Sequence, residues 1–269
     1  MVEGVHFHGL ITGGSSGIGL SVARLLVGRG ASVSLLARDR AKLAAARAAL
    51  EAVRTDATQH IRTFAVDVSD RAALDGAVLE AIAALGPPDL AVASAGIARP
   101  GYFHELPPEA FERAIAVNYF GSLYTARAVL PSMRDRGRGH LVFVSSGAGL
   151  IGIYGYSAYA PSKFAVRGLA ESLRPELRGT GVSVSVVYPP DTDTPQLAEE
   201  MKTKPPETRR ITATAQTWSA EAVAAAILRG VDRQQFAIAP GLEMTWLNRL
   251  HSLLFPLLNW YFDRLAAPR

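Results

Sequence analysis

Thr12-Gly13-Gly14-Ser15-Ser16-Gly17-Ile18-Gly19 follows a short apolar run, Val5 to Ile11, and opens an amphipathic stretch, Ile18 to Arg29. A predicted strand, a glycine-rich turn and a predicted helix therefore stand in immediate succession. Glycines permit a tight turn and close approach of a ligand to the backbone. The N–H groups and positive dipole at the helix start then favour a pyrophosphate. An isolated glycine cluster also reads as an ordinary strand-to-helix turn, so the weight here comes from its context. Gly13, Ser15, Ser16, Gly17, Ile18 and Gly19 are candidate dinucleotide contacts.

Outward from this turn, β-branched runs continue to alternate with stretches of helical period, the pattern of βαβ units and a parallel sheet. Strands are predicted at Ser32 to Ala37, Ile61 to Val66, Leu90 to Ala93, Leu141 to Ser145, Val182 to Val187 and near Gln235 to Ala239. Helices are predicted at Arg40 to Val53, Arg71 to Leu85, Pro108 to Asp135, Ala158 to Arg178 and near Ala220 to Arg229. The class is α/β: a doubly wound, mainly parallel sheet of seven strands with helices on both faces. Residues 1–240 are expected to form one catalytic domain, with Pro189 to Thr217 a long lid loop holding one short helix. Residues 241–269 are expected to form an apolar helical extension.

Composition narrows the function. With 49% hydrophobic and 19% charged residues in 269, the chain can bury a core, and disorder, collagen and coiled coil are disfavoured. There is no cysteine, so a disulfide framework and thiolate chemistry are excluded. The net charge of +4 comes from dispersed arginine, since only Lys42, Lys163, Lys202 and Lys204 are lysines; nucleic-acid binding is not expected. Nor is a metal. Met1 to His8 does not read as a secretory signal and no stretch is apolar enough to span a bilayer. The expected location is cytoplasmic, with room for peripheral contact on the cytoplasmic face of a membrane.

Tyr159-Ala160-Pro161-Ser162-Lys163 places a phenol and an ammonium four residues apart, on one face of a helix. A neighbouring cation favours the ionised phenol, so Lys163 is expected to lower Tyr159 from its usual pKa of about 10. Such tuning suits a general acid or base. Ser146 precedes Tyr159 by 13 residues, just past a predicted strand, and Asn118 lies in the helix before it. Taken singly, these residues also read as strand-end caps and helix-surface positions. At the end of the second strand, Ala37 cannot accept from a ribose 2′-hydroxyl, whereas Arg38 offers a fork suited to a 2′-phosphate, with Lys42 one turn on. NADPH/NADP+ is accordingly the expected cofactor, although Asp39 follows directly and Arg38 also reads as an exposed helix-opening charge.

The T-G-x-x-x-G-x-G spacing together with Asn118, Ser146, Tyr159 and Lys163 in order resembles the short-chain dehydrogenase/reductase family. That resemblance implies a Rossmann-type fold and hydride transfer between nicotinamide and a carbonyl. Tyr159 would be the proton donor and Ser146 the hydrogen-bond donor to the developing alkoxide. Lys163 would hold the ribose, and Asn118 would position a water. It selects Ser146 over the adjacent Ser145, and it makes Asp67 and Val68 adenine contacts, where Asp67 and Ser69 also read as helix caps. Ala93-Ser94-Ala95-Gly96 departs from the family's usual Asn-Asn-Ala-Gly. The resemblance also implies a homodimer or homotetramer. A dinucleotide-binding sensor on the same fold would be expected to lack Tyr159 and Lys163.

Tyr188-Pro189-Pro190-Asp191-Thr192-Asp193-Thr194-Pro195, Ala198-Glu199-Glu200 and Thr203 to Arg209 resemble the branch of the family that reduces 3-ketodihydrosphingosine (3-dehydrosphinganine). The substrate so implied is a long-chain keto sphingoid base; the alternatives are a 3-oxoacyl thioester, a steroid or a retinoid. Thr194 would contact the nicotinamide amide. From Met244 to Phe262, apolar residues recur at helical spacing with Trp246 and Trp260 near either end, and Arg249 and Pro256 are expected to interrupt them. This reads either as an interfacial membrane helix or as a helix packed on the core or a second subunit.

Overall fold

Apolar runs too short for helices become strands because both faces of each are covered by helices. The computed structural model describes residues 7–213 and 216–266. Strands β1 (His8–Thr12), β2 (Ser32–Ala37), β3 (Ile61–Ala65), β4 (Leu90–Ala93), β5 (Gly139–Val144) and β6 (Val182–Val187) join a last short strand, β9 (Ala237–Ile238). They form one seven-stranded sheet in the order β3-β2-β1-β4-β5-β6-β9, parallel throughout. The order reverses between β1 and β4, the crevice where such sheets bind ligands at their carboxyl ends.

The period-two alternation of each strand splits its side chains between two cores. Leu141 and Phe143 pack under α3 (Arg71–Leu85), α5 (Gly121–Asp135) and α6 (Tyr159–Glu176). Val142 and Val144 pack on the opposite side, under α1 (Gly17–Gly28), α2 (Arg40–Glu51) and α9 (Ala220–Asp232). The expected sheet and its flanking helices are thus present, with ends shifted by a few residues; the expected start of β1 at Val5 lies outside the described residues.

Three segments differ from expectation. The helix predicted over Pro108 to Asp135 is α4 (Pro108–Ala114) and α5 joined by one π turn, Ile115–Phe120, which carries Asn118. The predicted lid loop is mostly helical: α7 (Pro195–Thr203) and α8 (Pro206–Thr212) lie between β7 (Thr192–Asp193) and β8 (Trp218–Ser219), which pair with each other. Pro195 and Pro206 look like helix breakers, yet each opens a helix, where a missing N–H leaves nothing unsatisfied. Finally, Pro256 does not interrupt the C-terminal stretch, because α10 (Gly241–Ala266) runs through it. Among the described residues no helix is long and apolar enough to cross a membrane.

At the amino ends of the strands, remote from the ligand crevice, two histidines are buried. His8 Nδ1 bonds the Gly86 carbonyl at 2.8 Å and Nε2 meets Ser34 Oγ at 2.9 Å. His140 Nε2 meets Ser185 Oγ at 2.7 Å, and that hydroxyl donates to the Gln235 carbonyl, so His140 must be the donor. Burial pushes both imidazoles down to about 4. Between pH 6.5 and pH 4 the unfolded chain therefore binds protons that the folded chain does not. The stability due to these neutral histidines is full above pH 6.5 and falls as the pH drops toward 4. Each should account for a loss of about 2 kcal/mol between pH 7 and pH 5. Urea denaturation at the two pH values measures this, and His140→Gln should remove one such share of the loss; an unchanged pH slope would contradict it.

Candidate active site

The turn after β1 holds its shape through backbone that only glycine adopts easily. Gly13 and Gly17 have φ of +70° and +53°. A Cβ on Gly19 would stand 2.5 Å from the Gly13 carbonyl oxygen, so the loop closes directly on the start of α1. Ser16, the N-cap of α1, makes no side-chain cap bond, and the first turn carries no acidic residue. This helix start faces a cavity of about 640 Å3 that extends from Gly13, Ser15, Ser16, Gly17 and Ile18 past Arg38, Lys42, Asp67 and Val68 to Ser146, Tyr159 and Lys163. An uncapped helix N-terminus opening into an elongated crevice at the switch point fits a dinucleotide. Gly19 stands behind the loop rather than in the cavity wall.

Charges at the Arg38 rim of the cavity are already sorted. Asp39, next to Arg38, caps α2 by accepting from the Lys42 N–H at 3.0 Å. Asp67 accepts from the Ser69 N–H at 2.9 Å and hydroxyl at 2.6 Å, and from Arg113 on α4. Burial pushes the Asp67 carboxyl up, but these donors outweigh it and hold the group at about 2. Arg38 Nη1 stands 4.0 Å from the same carboxylate, with the side chain 57% exposed. One fork of the guanidinium is thereby oriented at the cavity rim.

Tyr159 opens α6 and Lys163 follows one turn later; both are nearly inaccessible, at 8% and 5%. Lys163 Nζ lies 5.6 Å from the Tyr159 ring centroid and donates to the Val144 carbonyl at 2.9 Å. Burial lowers the ammonium to about 8. The phenol does not move as expected. Burial and the Glu200 carboxylate, with Asp191 beyond it, push Tyr159 up, and hydrogen bonds from Ser146 and Gln196 only partly offset them. Desolvation of the phenolate is the largest influence, so the neutral phenol is favoured.

The two serines separate cleanly. Ser145 is 3% exposed and donates to the Lys163 carbonyl at 2.9 Å, fixing α6 to the end of β5. Ser146 Oγ accepts only a 3.2 Å bond from the Ala148 N–H and lines the cavity together with Tyr159, whose pKa it helps to lower. Asn118 is fully buried. Its carbonyl oxygen accepts from the Ile97 N–H at 2.8 Å, and its amide donates to the Ile97 carbonyl and to Ser162 Oγ. It is not in the cavity wall. Thr194 caps α7, and a Cβ on Gly17 would stand 3.0 Å from Thr194 Cγ2, so α7 begins beside the glycine loop.

Sequence reading missed the polar wall opposite Tyr159. Tyr156 donates to Glu200 Oε2 at 2.8 Å, and Gln196 donates to Glu200 Oε1 at 2.9 Å. Lys204, its side chain 1% exposed, stands 3.5 Å from Asp191 Oδ2. The signal was the four-residue spacing of Gln196 and Glu200, which acquires meaning only once that stretch is read as a helix. Met244, Leu247, Leu258, Tyr261 and Phe262 of α10 add apolar lining to the same cavity, with Met244 next to Gly147.

Comparison with known proteins agrees with this geometry. The chain is 42% identical over 251 residues to the 3-ketodihydrosphingosine reductase of Mus musculus, and 41% identical over 251 residues to the 3-dehydrosphinganine reductase of Danio rerio. Each alignment covers 93% of this chain and 76% of the relative. A short chain dehydrogenase/reductase from Burkholderia phymatum, solved in complex with NAD, matches with a TM-score of 0.84 at 24% identity over 96% of both chains, which shows the fold. The family described as short chain dehydrogenase matches residues 8–205. That match begins at the first strand of the sheet and ends beyond α7, and the chain accordingly belongs to the short-chain dehydrogenase family.

Proposed function

We propose that this chain reduces the ketone of 3-ketodihydrosphingosine, giving dihydrosphingosine, with NADPH as reductant and Tyr159 as proton donor. The observation that carries this reading is a single cavity that joins a reactive polar set to an apolar lining. Ser146, Tyr159 and Lys163 share it with Leu197, Ile211, Met244, Leu247, Leu258 and Phe262, and Met244 reaches Gly147 next to Ser146. A long aliphatic tail gains about 0.8 kcal/mol for each methylene it buries there. The mouse and zebrafish relatives carry the same activity in their names.

As a member of its family the chain works with a nicotinamide cofactor, which supplies the hydride when bound. The chain's own residues handle the oxygen. Tyr159, kept neutral by burial and by Glu200, is in the form that can give a proton to the developing alkoxide. Ser146 Oγ donates a hydrogen bond to the same oxygen, an effect commonly worth about 3 kcal/mol. Lys163 places an ammonium on the Tyr159 side of α6, where it can hold ribose hydroxyls and favour departure of the phenolic proton. Asn118 acts at one remove, fixing Ile97 and Ser162 beside that lysine. The test is to supply NADPH with 3-ketodihydrosphingosine in detergent and identify the product. Dihydrosphingosine is expected; its absence, with brisk reduction of a 3-oxoacyl thioester or a steroid, would overturn the substrate.

The preference for NADPH rests on Arg38 at the cavity rim, Lys42 beside it and the commitment of Asp39 to capping α2. A guanidinium fork suits the 2′-phosphate. Arg38→Ala should lower kcat/KM for NADPH about tenfold or more while changing that for NADH little. Equal losses with both cofactors, or a wild-type preference for NADH, would contradict this.

A lipid surface is the proposed source of substrate. Leu242, Trp246, Leu253, Leu257 and Trp260 form one stripe of α10, each more than half exposed, while a second stripe of the same helix lines the cavity. Aromatics on an exposed apolar face suit the headgroup boundary. The double substitution Trp246→Ser and Trp260→Ser should reduce flotation with liposomes and raise KM for liposomal substrate; unchanged flotation would count against it.

A further inference from the structure

The wall facing Tyr159 carries two carboxylates but one directly paired lysine. Asp191 has Lys204 at 3.5 Å. Glu200, 7% exposed on α7, takes its hydrogen bonds from two neutral groups, the Tyr156 hydroxyl and the Gln196 amide. Among the described residues no Lys, Arg or His nitrogen lies within 4 Å of it. Lys163 donates elsewhere, to the Val144 carbonyl. Lys163 and Lys204 act on Glu200 only from a distance, and a buried carboxylate with no cation in direct contact is costly to keep ionised.

Position makes the imbalance chemical. Gln196 donates to Glu200 Oε1 at 2.9 Å, and Gln196, Glu200, Tyr156 and Tyr159 line one cavity, where the Glu200 charge is felt at the Tyr159 phenol. A ketone whose oxygen met Ser146 and Tyr159 would present the carbon next to the carbonyl to the cavity that Glu200 also lines. In a sphingoid base that carbon bears a primary amine, protonated near neutral pH. An uncharged ketone offers nothing to the same carboxylate.

We infer that Glu200 is a specificity-determining residue that holds the ammonium of an α-amino ketone, with Asp191 and Lys204 as a charge-balanced pair behind it. The inference rests on the proposed reaction and deepens it, because it explains how the enzyme tells an amino ketone from another hydrophobic carbonyl. No covalent step is involved. The ammonium stays protonated and supplies the charge-assisted hydrogen bond that Glu200 lacks.

The experiment uses the full-length enzyme with NADPH and two ketones that differ only at one group: 3-ketodihydrosphingosine and its 2-deamino analogue. Wild type should favour the amine in kcat/KM by about 30-fold or more, the usual scale for a buried, hydrogen-bonded charge pair. Glu200→Gln, close in shape, should bring the ratio down to within a few-fold of unity. A merely structural Glu200 would instead lower both substrates together and leave the ratio intact, which overturns the inference. Wild-type enzyme alone provides a second check that does not depend on the variant folding. Equal efficiency on the two ketones would overturn the ammonium site while leaving the reductase reading in place. Reduction of 3-oxoacyl thioesters or steroids with neither of these two ketones turned over would overturn both.

Discussion

Tyr159→Phe is expected to lower kcat for ketone reduction by about 10²- to 10⁴-fold, the scale of a lost general acid, with NADPH affinity and thermal stability close to wild type. The ring keeps its packing against Tyr156, 5.6 Å away between centroids, and only the proton-bearing oxygen is removed. Single-turnover absorbance of NADPH separates the chemical step from binding. Turnover near the wild-type rate would refute the assignment of the proton donor and leave the fold untouched. The pH profile gives a companion signature. Tyr159 stays neutral well above the usual range, whereas burial brings Lys163 down to about 8. The loss of kcat/KM on the alkaline side should therefore set in near pH 8, as Lys163 gives up its charge, and a Lys163→Arg variant should move that limb upward.

Gly19→Ala should weaken cofactor binding about 10- to 100-fold. The new methyl would meet the Gly13 carbonyl at 2.5 Å and its carbon at 2.9 Å, both backbone atoms of the phosphate-facing turn. Forcing an atom into such a contact typically costs about 1–3 kcal/mol and moves the backbone. Because Gly13 adopts a left-handed φ and packs on the backbone of Ala95, the loop has little freedom to give way elsewhere. Titration of NADPH fluorescence measures the change. Gly76→Ala, on α3 with nothing within 4 Å of the added methyl, serves as a control expected to bind normally. Equal affinities in the two variants would show that the turn does not hold the pyrophosphate.

What the sequence revealed, and what it hid, follows from the range of the interactions concerned. The alternation of Leu141 to Val144 encodes two covered faces, so the parallel sheet was legible without any tertiary knowledge. The placement of the glycine turn, Ser146, Tyr159 and Lys163 at one cavity was legible for the same reason: each position depends on a strand end or a helix face close by in the chain. The helices within residues 189–217 were missed because Pro195 and Pro206 act locally as breakers, while their position at the first residue of a helix depends on a cap such as Thr194. The direction of the Tyr159 shift was misread because its main charged influence, Glu200, comes from 41 residues downstream. The fourth catalytic candidate, Asn118, was placed in a helix correctly, but the π turn that aims its amide at Ile97 and Ser162 has no signature in the residues themselves.

The central claim is that this chain delivers a hydride to the ketone carbon of a long-chain keto sphingoid base. It is tested most directly with NADPH stereospecifically deuterated at C4 of the nicotinamide, in two parallel reactions for the two faces, followed by mass spectrometry of the product. The expected result is dihydrosphingosine carrying one deuterium at C3 in one reaction and none in the other, with that label lost to background in Tyr159→Phe. Recovery of unreduced 3-ketodihydrosphingosine from both wild-type reactions, under conditions where the enzyme oxidises NADPH with another ketone, would contradict it.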